Sequence, residues 1–169
     1  MSAPGLEPTA ANNYRSEHAA LLIRSYRQLT GRDLLPAAPD PKELAYMLYR
    51  APFVVLSHNG DSDPVFTYAN LAAQRLFAMP WQEIVGMPSR YSAEAPARDE
   101  RQHLLDRVAQ HGYIDDYQGI RIAKTGERFL ISNATVWNLG DDAGRKIGQA
   151  ATFSEWELLP TSGVSRTNG

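Results

Sequence analysis

The chain has 169 residues, 43% of them hydrophobic, a formal net charge of −2 and no cysteine, which together indicate one folded domain with additional segments at its ends. Without cysteine, disulfides, thiolate metal ligands and a cysteine nucleophile are excluded, and the slightly acidic charge argues against a general nucleic-acid or anionic-membrane binder. No apolar run approaches the roughly 20 residues of a bilayer span and no signal-peptide pattern is present, so we expect a cytoplasmic protein.

The first fifty residues predict a lead followed by two helices. Residues 1–12 are polar and contain prolines, which is typical of a disordered lead. Residues 13–50 are expected to form an N-terminal helical segment. Its first helix begins at Asn12 or Asn13, either of which can cap it, and ends at Gly31.

The second helix and a first hairpin have strong local signals. Asp40 and Pro41 suit the cap and the first position of a helix. The run Phe53–Ser57 predicts a buried strand, and after a turn rich in Asn, Gly and Asp the run Val65–Tyr68 predicts its hairpin partner. Asn70 then caps the next helix, which begins the crossover to the second half of the sheet.

Two more helices and three strands complete the predicted domain. Trp81–Val85 predicts one helical turn, and a longer helix is expected from Ala97 to His111. The stretch Tyr117–Trp156 holds three runs rich in β-branched and aromatic residues, separated by glycine- and aspartate-containing turns. This order predicts an α+β fold, with a five-stranded antiparallel sheet, short helices over one face and the long N-terminal helix over the other. A flexible tail is expected over residues 158–169.

Several motifs resemble those of PAS-type sensor domains. The run KTGERFLISNATVWNLGDDAGRKIGQAATF resembles the PAS arrangement of three strands and two turns, and the segments YANLAAQRLF, PSRYSAEAPARDERQHLLDRV and GYIDDYQGIRI are similar to the MEKHLA domain family, a PAS-related group. The resemblance covers roughly His18 to Trp156. It implies a PAS-like (MEKHLA) domain over residues 51–157, a sensing or regulatory role, and a pocket between the inner face of the sheet and the crossover helices.

Strand alternation assigns candidate ligand-binding residues to that pocket. If Asn133 faces inward, Thr135 and Trp137 share its face, and Gln149 belongs to the inward set of the neighbouring strand. Arg121 lies in the first strand of the meander, flanked by isoleucines. A cavity with apolar walls and a few convergent polar groups is typical of a small-molecule site.

Arg121 is the sharpest of these candidates, and it has two interpretations. A guanidinium inside a pocket requires a carboxylate or phosphate partner. That partner is either a protein carboxylate, from Asp115, Asp116 or Glu127, or an anionic ligand that Arg121 holds together with the two amide side chains.

Arg101 and Trp137 also have two interpretations each. Arg101 shares a helical side with Leu104, so it either leans toward the mouth of the pocket or joins a surface network with Glu94 and Asp99. Trp137 either lines the pocket or anchors the core.

The sequence contains no pattern that predicts catalysis or identifies a cofactor. His103 and His111 lie on the crossover helix, where haem-binding PAS domains supply an axial ligand, but each stands alone. No histidine pair has zinc spacing. Ser57, His58 and Asp61 are neighbours in a hairpin, which does not give triad geometry. We therefore expect neither an enzyme nor a metal site.

Together these inferences predict a stand-alone PAS-like sensory or regulatory module that binds a small ligand, anionic if Arg121 holds it. The module is expected to signal through a homodimer or a partner protein, with the long N-terminal helix as the output or dimerisation element. A ligand-free protein–protein interaction module is the alternative function, and a small enzyme is the third. No nucleic-acid or membrane partner is expected.

Overall fold

The computed structural model describes residues 5–37, 40–93 and 98–160, without the side chains of residues 98–102 and 105. Within these ranges the helices and strands follow the order expected for an α+β domain. The α-helices are α1 (Ser16–Thr30), α2 (Pro41–Arg50), α3 (Leu71–Phe77), α4 (Trp81–Ile84) and α5 (Arg98–His111), and Ala10–Arg15 and Ser89–Ser92 are short 3-10 helices. The strands are β1 (Val54–Asn59), β2 (Phe66–Ala69), β3 (Tyr113–Ile122), β4 (Arg128–Gly140), β5 (Lys146–Phe153) and β6 (Glu155–Leu158).

The strands form one antiparallel sheet with the order β2–β1–β5–β4–β3, and β6 adds to it beside β4. This confirms the predicted α+β fold and its antiparallel sheet. Because β4 is 13 residues long, β5 pairs with its second half, where Thr135 faces Thr152, and β6 pairs with its first half, where Phe129 faces Leu158. The sequence predicts one run where the structure has the two strands β5 and β6, which are divided at Ser154.

Helix α1 covers one face of the sheet, which we call the outer face. Leu22 and Tyr26 recur at helical spacing and are buried, and the Tyr26 ring packs edge-on against Trp137 of β4 with centroids 5.0 Å apart. On the opposite, inner face, Phe77 of α3 packs against Phe129 of β4 with centroids 5.3 Å apart. Helices α1 and α3 therefore lie on opposite sides of the sheet, in the arrangement that the sequence predicted, whereas Trp81 of α4 packs against Tyr68, the ring on which His18 of α1 also stacks.

Three predicted helix ends have the expected local chemistry. Gly31 adopts a φ of 75° after α1, and its N–H donates to the carbonyl four residues earlier at 2.9 Å. The Asp40 carboxylate accepts from the N–H of Lys42 at 3.1 Å at the start of α2. Asn70 accepts from the N–H of Ala73 at 3.1 Å at the start of α3. These ends set where the chain leaves each helix for the sheet.

Residues 5–12 contact the body of the domain, which differs from the disordered lead that the sequence predicted. Trp81 Nε1 donates to the carbonyl of Gly5 at 2.8 Å, and the Tyr49 hydroxyl donates to Glu7 Oε2 at 2.5 Å. The one polar atom of a buried tyrosine or tryptophan ring usually has a hydrogen-bond partner. The lead supplies those partners, a contribution that its polar composition does not reveal.

A left-handed turn separates this lead from α1. Residues 13–15 have φ angles of 56°, 54° and 55°, so α1 begins at Ser16 and not at residue 13. Each residue with a side chain in this region costs about 1–2 kcal/mol. Asn12 holds the turn in place, because its Oδ1 accepts from the N–H groups of Thr9 and Arg15 at 3.0 and 3.2 Å.

The predicted tail over residues 158–169 falls mostly on residues 161–169, which lie outside the described residues, as do residues 1–4. Leu158 ends β6. The N–H of Leu159 then donates to the carbonyl of Arg128 at 2.9 Å, which extends the pairing with β4 by one hydrogen bond.

Candidate ligand-binding cleft

A cleft of about 1330 Å³ lies between the inner face of the sheet and the crossover segment. Small-molecule pockets typically measure about 300–1,000 Å³, so this cleft has room for a ligand. Residues of α5 and the segment Ser89–Ser92 line it opposite the sheet. The apolar floor on the sheet comprises Leu56, Ile131, Ala134, Val136, Ala151 and Phe153.

Small side chains on the central strands keep the floor open. Val136 of β4 lies beside Ala151 of β5, which in turn lies beside Leu56 of β1. One strand further, Ala134 lies opposite Tyr117 of β3. An alanine fills little of the space above its strand, so two alanines at the centre of the sheet leave volume that larger aliphatic side chains would occupy.

Arg121 lies on β3 and lines the cleft. Its Nη1 donates to the carbonyl of Ile120 at 3.1 Å, and its Cζ lies 5.6 Å from the centroid of the Tyr117 ring. The Tyr117 hydroxyl lies 2.4 Å from the position that a Cβ would take on Gly119. The missing side chain at Gly119 therefore lets the tyrosine ring extend along the strand toward the guanidinium.

No carboxylate among the described side chains forms an ion pair with Arg121. Two of its predicted partners are engaged elsewhere, because Asp115 accepts from Arg32 at 3.3 Å and Asp116 accepts from Arg107 at 2.8 Å. A half-buried guanidinium without a counter-ion retains the hydrogen-bond donors that suit a carboxylate or phosphate. The geometry at Arg121 is therefore compatible with an anion in the cleft.

Gln149 is the second predicted residue that lines the cleft. Its side chain is buried, and its Nε2 donates to Asn138 Oδ1 at 3.3 Å. In the sheet Arg121 pairs with Phe129 of β4, whereas Gln149 pairs with Asn138 of the same strand. Positions 129 and 138 are roughly 30 Å apart along an extended strand, so a compact ligand does not contact both Arg121 and Gln149.

Asn133 does not line the cleft. Between Ile131 and Ala134, β4 has one residue more than the facing segment of β3, which makes a β-bulge. Asn133 has a φ of 54° and an exposed side chain, whose Nδ2 donates to Glu155 Oε1 at 3.1 Å. A one-residue shift reverses which side chains face each side of the sheet.

The bulge also moves Thr135 and Trp137 away from the cleft. Trp137 is fully buried on the outer face against Tyr26, so it anchors the core and does not line the pocket. Thr135 pairs with Thr152 of β5. The predicted inward placement of Asn133, Thr135 and Trp137 is thus corrected, because the alternation was extended through a bulge.

The Arg101 side chain lies outside the described side chains, although its backbone belongs to α5.

A comparison with known protein families matches residues 16–158 to the MEKHLA domain. The match spans most of the chain and includes α1 as well as the sheet. The chain belongs to the MEKHLA domain family. The resemblance that the motifs indicated is thereby confirmed. A comparison with curated proteins finds no match.

Solved structures share the fold of this MEKHLA domain. An RNA-binding Light-Oxygen-Voltage receptor gives a TM-score of 0.59 at 21% identity and covers 70% of this chain and 34% of its own, so the chain spans about a third of that receptor. The fungal photoreceptor Vivid, as a light-state dimer, gives 0.56 at 14% identity over 92% of this chain and 99% of its own. A PAS domain from Colwellia psychrerythraea gives 0.55 at 11% identity over 70% and 95%. The fold is therefore that of PAS and Light-Oxygen-Voltage modules.

Two features of the MEKHLA cleft were missed in the sequence. Tyr117 supports Arg121, and the ion pair between Arg107 and Asp116 lies at the cleft wall. The spacing Tyr117-x-Gly119-x-Arg121 was a usable signal, because alternate residues of a strand share a face. The ion pair joins α5 to β3 and required knowledge of how the crossover helix lies over the sheet.

The hydroxyl of Ser57 contacts a histidine, but not the one that neighbours it in sequence. Ser57 faces α1, and its Oγ lies 3.0 Å from Nε2 of His18 on that helix and 2.8 Å from Oγ1 of Thr67 on β2. His58 instead faces the cleft and contacts the carbonyl of Asn59. Ser57 is 1% exposed, so its hydroxyl forms these contacts in the interior beneath α1.

His18 gives the MEKHLA domain an expected pH dependence. Burial, reinforced by Arg15, lowers the pKa of His18 from 6.5 to about 4. Between these values the unfolded chain binds more protons than the folded chain, so acid favours unfolding. We expect the free energy of unfolding to fall by about 3 kcal/mol as the pH decreases through this window, and to level off below it for this group.

Urea denaturation near pH 7 and near pH 4.5 measures this effect. The substitution His18→Gln keeps a polar side chain opposite Ser57 and removes the titrating group, so it should flatten that part of the pH profile. If the free energy of unfolding changes equally with pH in the variant and in the parent, groups other than His18 cause the pH dependence.

The described residues contain no helix that combines the length and apolar character needed to cross a membrane. Within the same residues, no group of three or more His, Cys, Asp or Glu side chains could hold a metal ion. Of the two histidines considered for haem, His103 lines the cleft with an exposed side chain, and His111 lies outside it.

Proposed function

We propose that this MEKHLA domain is a sensory module that binds a small anionic molecule in its cleft and signals through its own dimer or a partner protein. The observation that carries the proposal is Arg121, which lines the cleft and whose guanidinium has no ion-pair partner among the described side chains. A carboxylate or phosphate bound there would gain charge-assisted hydrogen bonds. A binding module, and not an enzyme, is the function we propose.

The cleft suits an elongated ligand with an apolar body. Arg121 and Gln149 lie toward opposite ends of it, and the floor between them carries Ala134, Val136 and Ala151. A ligand that reaches both ends would place its acidic group at Arg121 and a hydrogen-bonding group at the amide of Gln149. A compact anion would bind at Arg121 alone.

The substitution Arg121→Gln is expected to weaken the binding of an apolar anion and to spare a neutral analogue. The dissociation constant of 1-anilinonaphthalene-8-sulfonate should rise about 10-fold or more, because a hydrogen bond to a charged group contributes about 1.5–3 kcal/mol. N-phenyl-1-naphthylamine has similar rings without the sulfonate and should bind unchanged. Fluorescence titration measures both constants.

Two further variants make this test specific. Arg145 is exposed and pairs with Asp141 in the β4–β5 turn, so Arg145→Gln should leave both probes unchanged. Ala151→Leu fills the floor of the cleft and should weaken both. If the sulfonate probe binds the parent and Arg121→Gln equally well, the proposed anion site at Arg121 is refuted. If Ala151→Leu changes the binding of neither probe, the probes do not bind in the cleft. Native mass spectrometry of freshly purified protein then identifies a retained ligand directly.

Signalling through a dimer or partner is supported by the position of the N-terminal segment. Helix α1 packs on the outer face of β4, while inner residues of β4 form the floor of the cleft, so one strand contacts both. Vivid, which shares the fold, forms a light-state dimer. For this chain we propose the N-terminal segment as the output or dimerisation element.

A ligand-free protein-interaction module is the second candidate. It is favoured by Trp156 and Leu158, which are 39% and 55% exposed on the edge-paired strand β6. This candidate expects no retained ligand and no difference between the two probes. The RNA-binding receptor bears on the fold alone, and with a formal charge of −2 we propose neither a nucleic-acid nor a membrane partner.

A further inference from the structure

We propose that the N-terminal lead, residues 5–12, is exchanged between two copies of this chain. In the exchanged dimer, the lead of each copy occupies the groove on the other copy that its own lead fills in the monomer. The proposal rests on the dimer half of the proposed function and is independent of the ligand. A second copy is the occupant because the groove already binds this particular segment.

The lead is a compact unit held together by its own hydrogen bonds. Asn12 Nδ2 donates to the carbonyl of Glu7 at 2.9 Å, and Asn12 Oδ1 accepts from the N–H of Thr9 at 3.0 Å. The N–H of Asn12 also donates to the carbonyl of Thr9 at 3.2 Å. The lead can therefore move as one piece without losing these bonds.

A side chain of the body and the side chain of the hinge residue Arg15 bind two consecutive carbonyls of the lead. Trp81 Nε1 donates to the carbonyl of Gly5, and Arg15 Nη1 donates to the carbonyl of Leu6, each at 2.8 Å. The Arg15 guanidinium lies so close to Gly5 that a Cβ there would be 2.1 Å from it. In the closed monomer the Arg15 side chain thus occupies the space beside Gly5 that a larger side chain would need.

The carboxylate of the lead is bound by two donors of the body. The Tyr49 hydroxyl donates to one oxygen of Glu7 at 2.5 Å, and Gln82 Nε2 donates to the other at 3.2 Å. Gln74 Nε2 donates to the same Tyr49 hydroxyl at 2.9 Å and so orients it. Tyr49 and Gln74 are fixed on α2 and α3, so the groove recognises an acidic residue whichever copy supplies it.

The hinge between the lead and α1 is strained in the closed arrangement. Residues 13–15 lie in the left-handed region with φ angles of 56°, 54° and 55°, which L side chains rarely adopt in succession. A right-handed conformation here would extend α1 and carry the lead away from its own groove. Exchange keeps the contacts that Trp81, Tyr49 and Gln82 make with the lead, gives up those made through Arg15 and relieves the hinge, at the cost of associating two copies. Chain concentration therefore sets the balance.

Isotope-mixed photo-cross-linking of the full chain distinguishes exchange from an ordinary dimer. Leu6 is 73% exposed, so benzoylphenylalanine in its place leaves the groove contacts of the backbone intact. Unlabelled and nitrogen-15-labelled chains carrying it are mixed in equal amounts at high concentration. The dimer isolated by size-exclusion chromatography with light scattering is then irradiated, and about half of the cross-links between lead and body should join the two isotopes.

The other outcomes separate the two proposals. A dimer whose cross-links each contain one isotope would overturn the exchange and leave dimerisation standing. A chain that stays monomeric at every concentration would overturn both. Neither outcome bears on ligand binding, which the naphthalene probes measure separately.

The hinge is tested by a matched pair at Asn13, which is exposed and makes no side-chain hydrogen bond with the described residues. Asn13→Gly removes the backbone strain of the closed monomer, and Asn13→Ala increases it. We expect the exchanged dimer of Asn13→Ala to have a dissociation constant lower by about fivefold or more than that of Asn13→Gly. Equal constants would overturn the role of the hinge.

Discussion

Replacing Asn70 with alanine is expected to cost about 3–5 kcal/mol of folding free energy. Asn70 is fully buried, and its amide forms hydrogen bonds in four directions. Its Oδ1 accepts from the N–H groups of Val55 and Ala73, both at 3.1 Å, and its Nδ2 donates to the carbonyls of Leu48 and Phe53 at 3.1 and 2.9 Å. Alanine removes this partner from the buried N–H groups of Val55 and Ala73, from the Leu48 carbonyl and from the partly buried Phe53 carbonyl.

Equilibrium denaturation in urea measures this cost. Asp40→Ala is the matched control, because Asp40 is also a helix cap but is exposed and accepts from one N–H group. Loss of such a cap typically costs about 1 kcal/mol. If the Asn70 variant is no less stable than the Asp40 variant, the four hydrogen bonds do not act as the junction between α2, β1 and α3.

The second large effect is expected at Trp137, where alanine should cost about 3–5 kcal/mol and phenylalanine much less. Trp137 is fully buried between β4 and α1, with its ring 5.0 Å from that of Tyr26. Its indole N–H is buried without a hydrogen-bond partner among the described residues. Phenylalanine keeps most of the aromatic packing and removes the unsatisfied donor, which partly offsets the smaller ring.

Thermal unfolding followed by circular dichroism, together with urea titration, compares the two Trp137 variants. The informative quantity is the difference between them, since it separates ring packing from hydrogen bonding. A phenylalanine variant as unstable as the alanine variant would mean that the indole nitrogen has a partner that the packing does not reveal.

Local signals predicted the elements of this fold well because each is contained in a few residues. The cap at Asp40, the stop at Gly31 and the cap at Asn70 all depend on a side chain and its neighbours in sequence. The antiparallel order followed from short turns between strands. None of these inferences required knowing what lies across the sheet.

The candidate site was only partly predicted because alternation does not continue through a bulge. Arg121 and Gln149 line the cleft, since no irregularity separates either from the neighbours used to place it. Asn133 adopts a positive φ that asparagine tolerates better than most residues. The same tolerance is common in turns, so the sequence offered no reason to expect it in the middle of a strand.

The contacts of the lead were missed for a different reason. They involve Trp81, Tyr49 and Gln82, which are distant in sequence, and carbonyls that every residue has. Polar composition with prolines is shared by disordered leads and by segments docked through their backbone. Only the positions of the donor side chains distinguish the two cases.

The single surplus residue of β4 has a consequence for how this domain can vary in length. Deleting it would reverse which side chains beyond the bulge face each side of the sheet. The indole of Trp137 would then point into the cleft, and Val136 would lie under α1. The cleft would then be plugged, although not one amino-acid type in the strand beyond the deletion had changed. The volume available to a ligand in the cleft thus depends on the number of residues in β4 as much as on their chemistry.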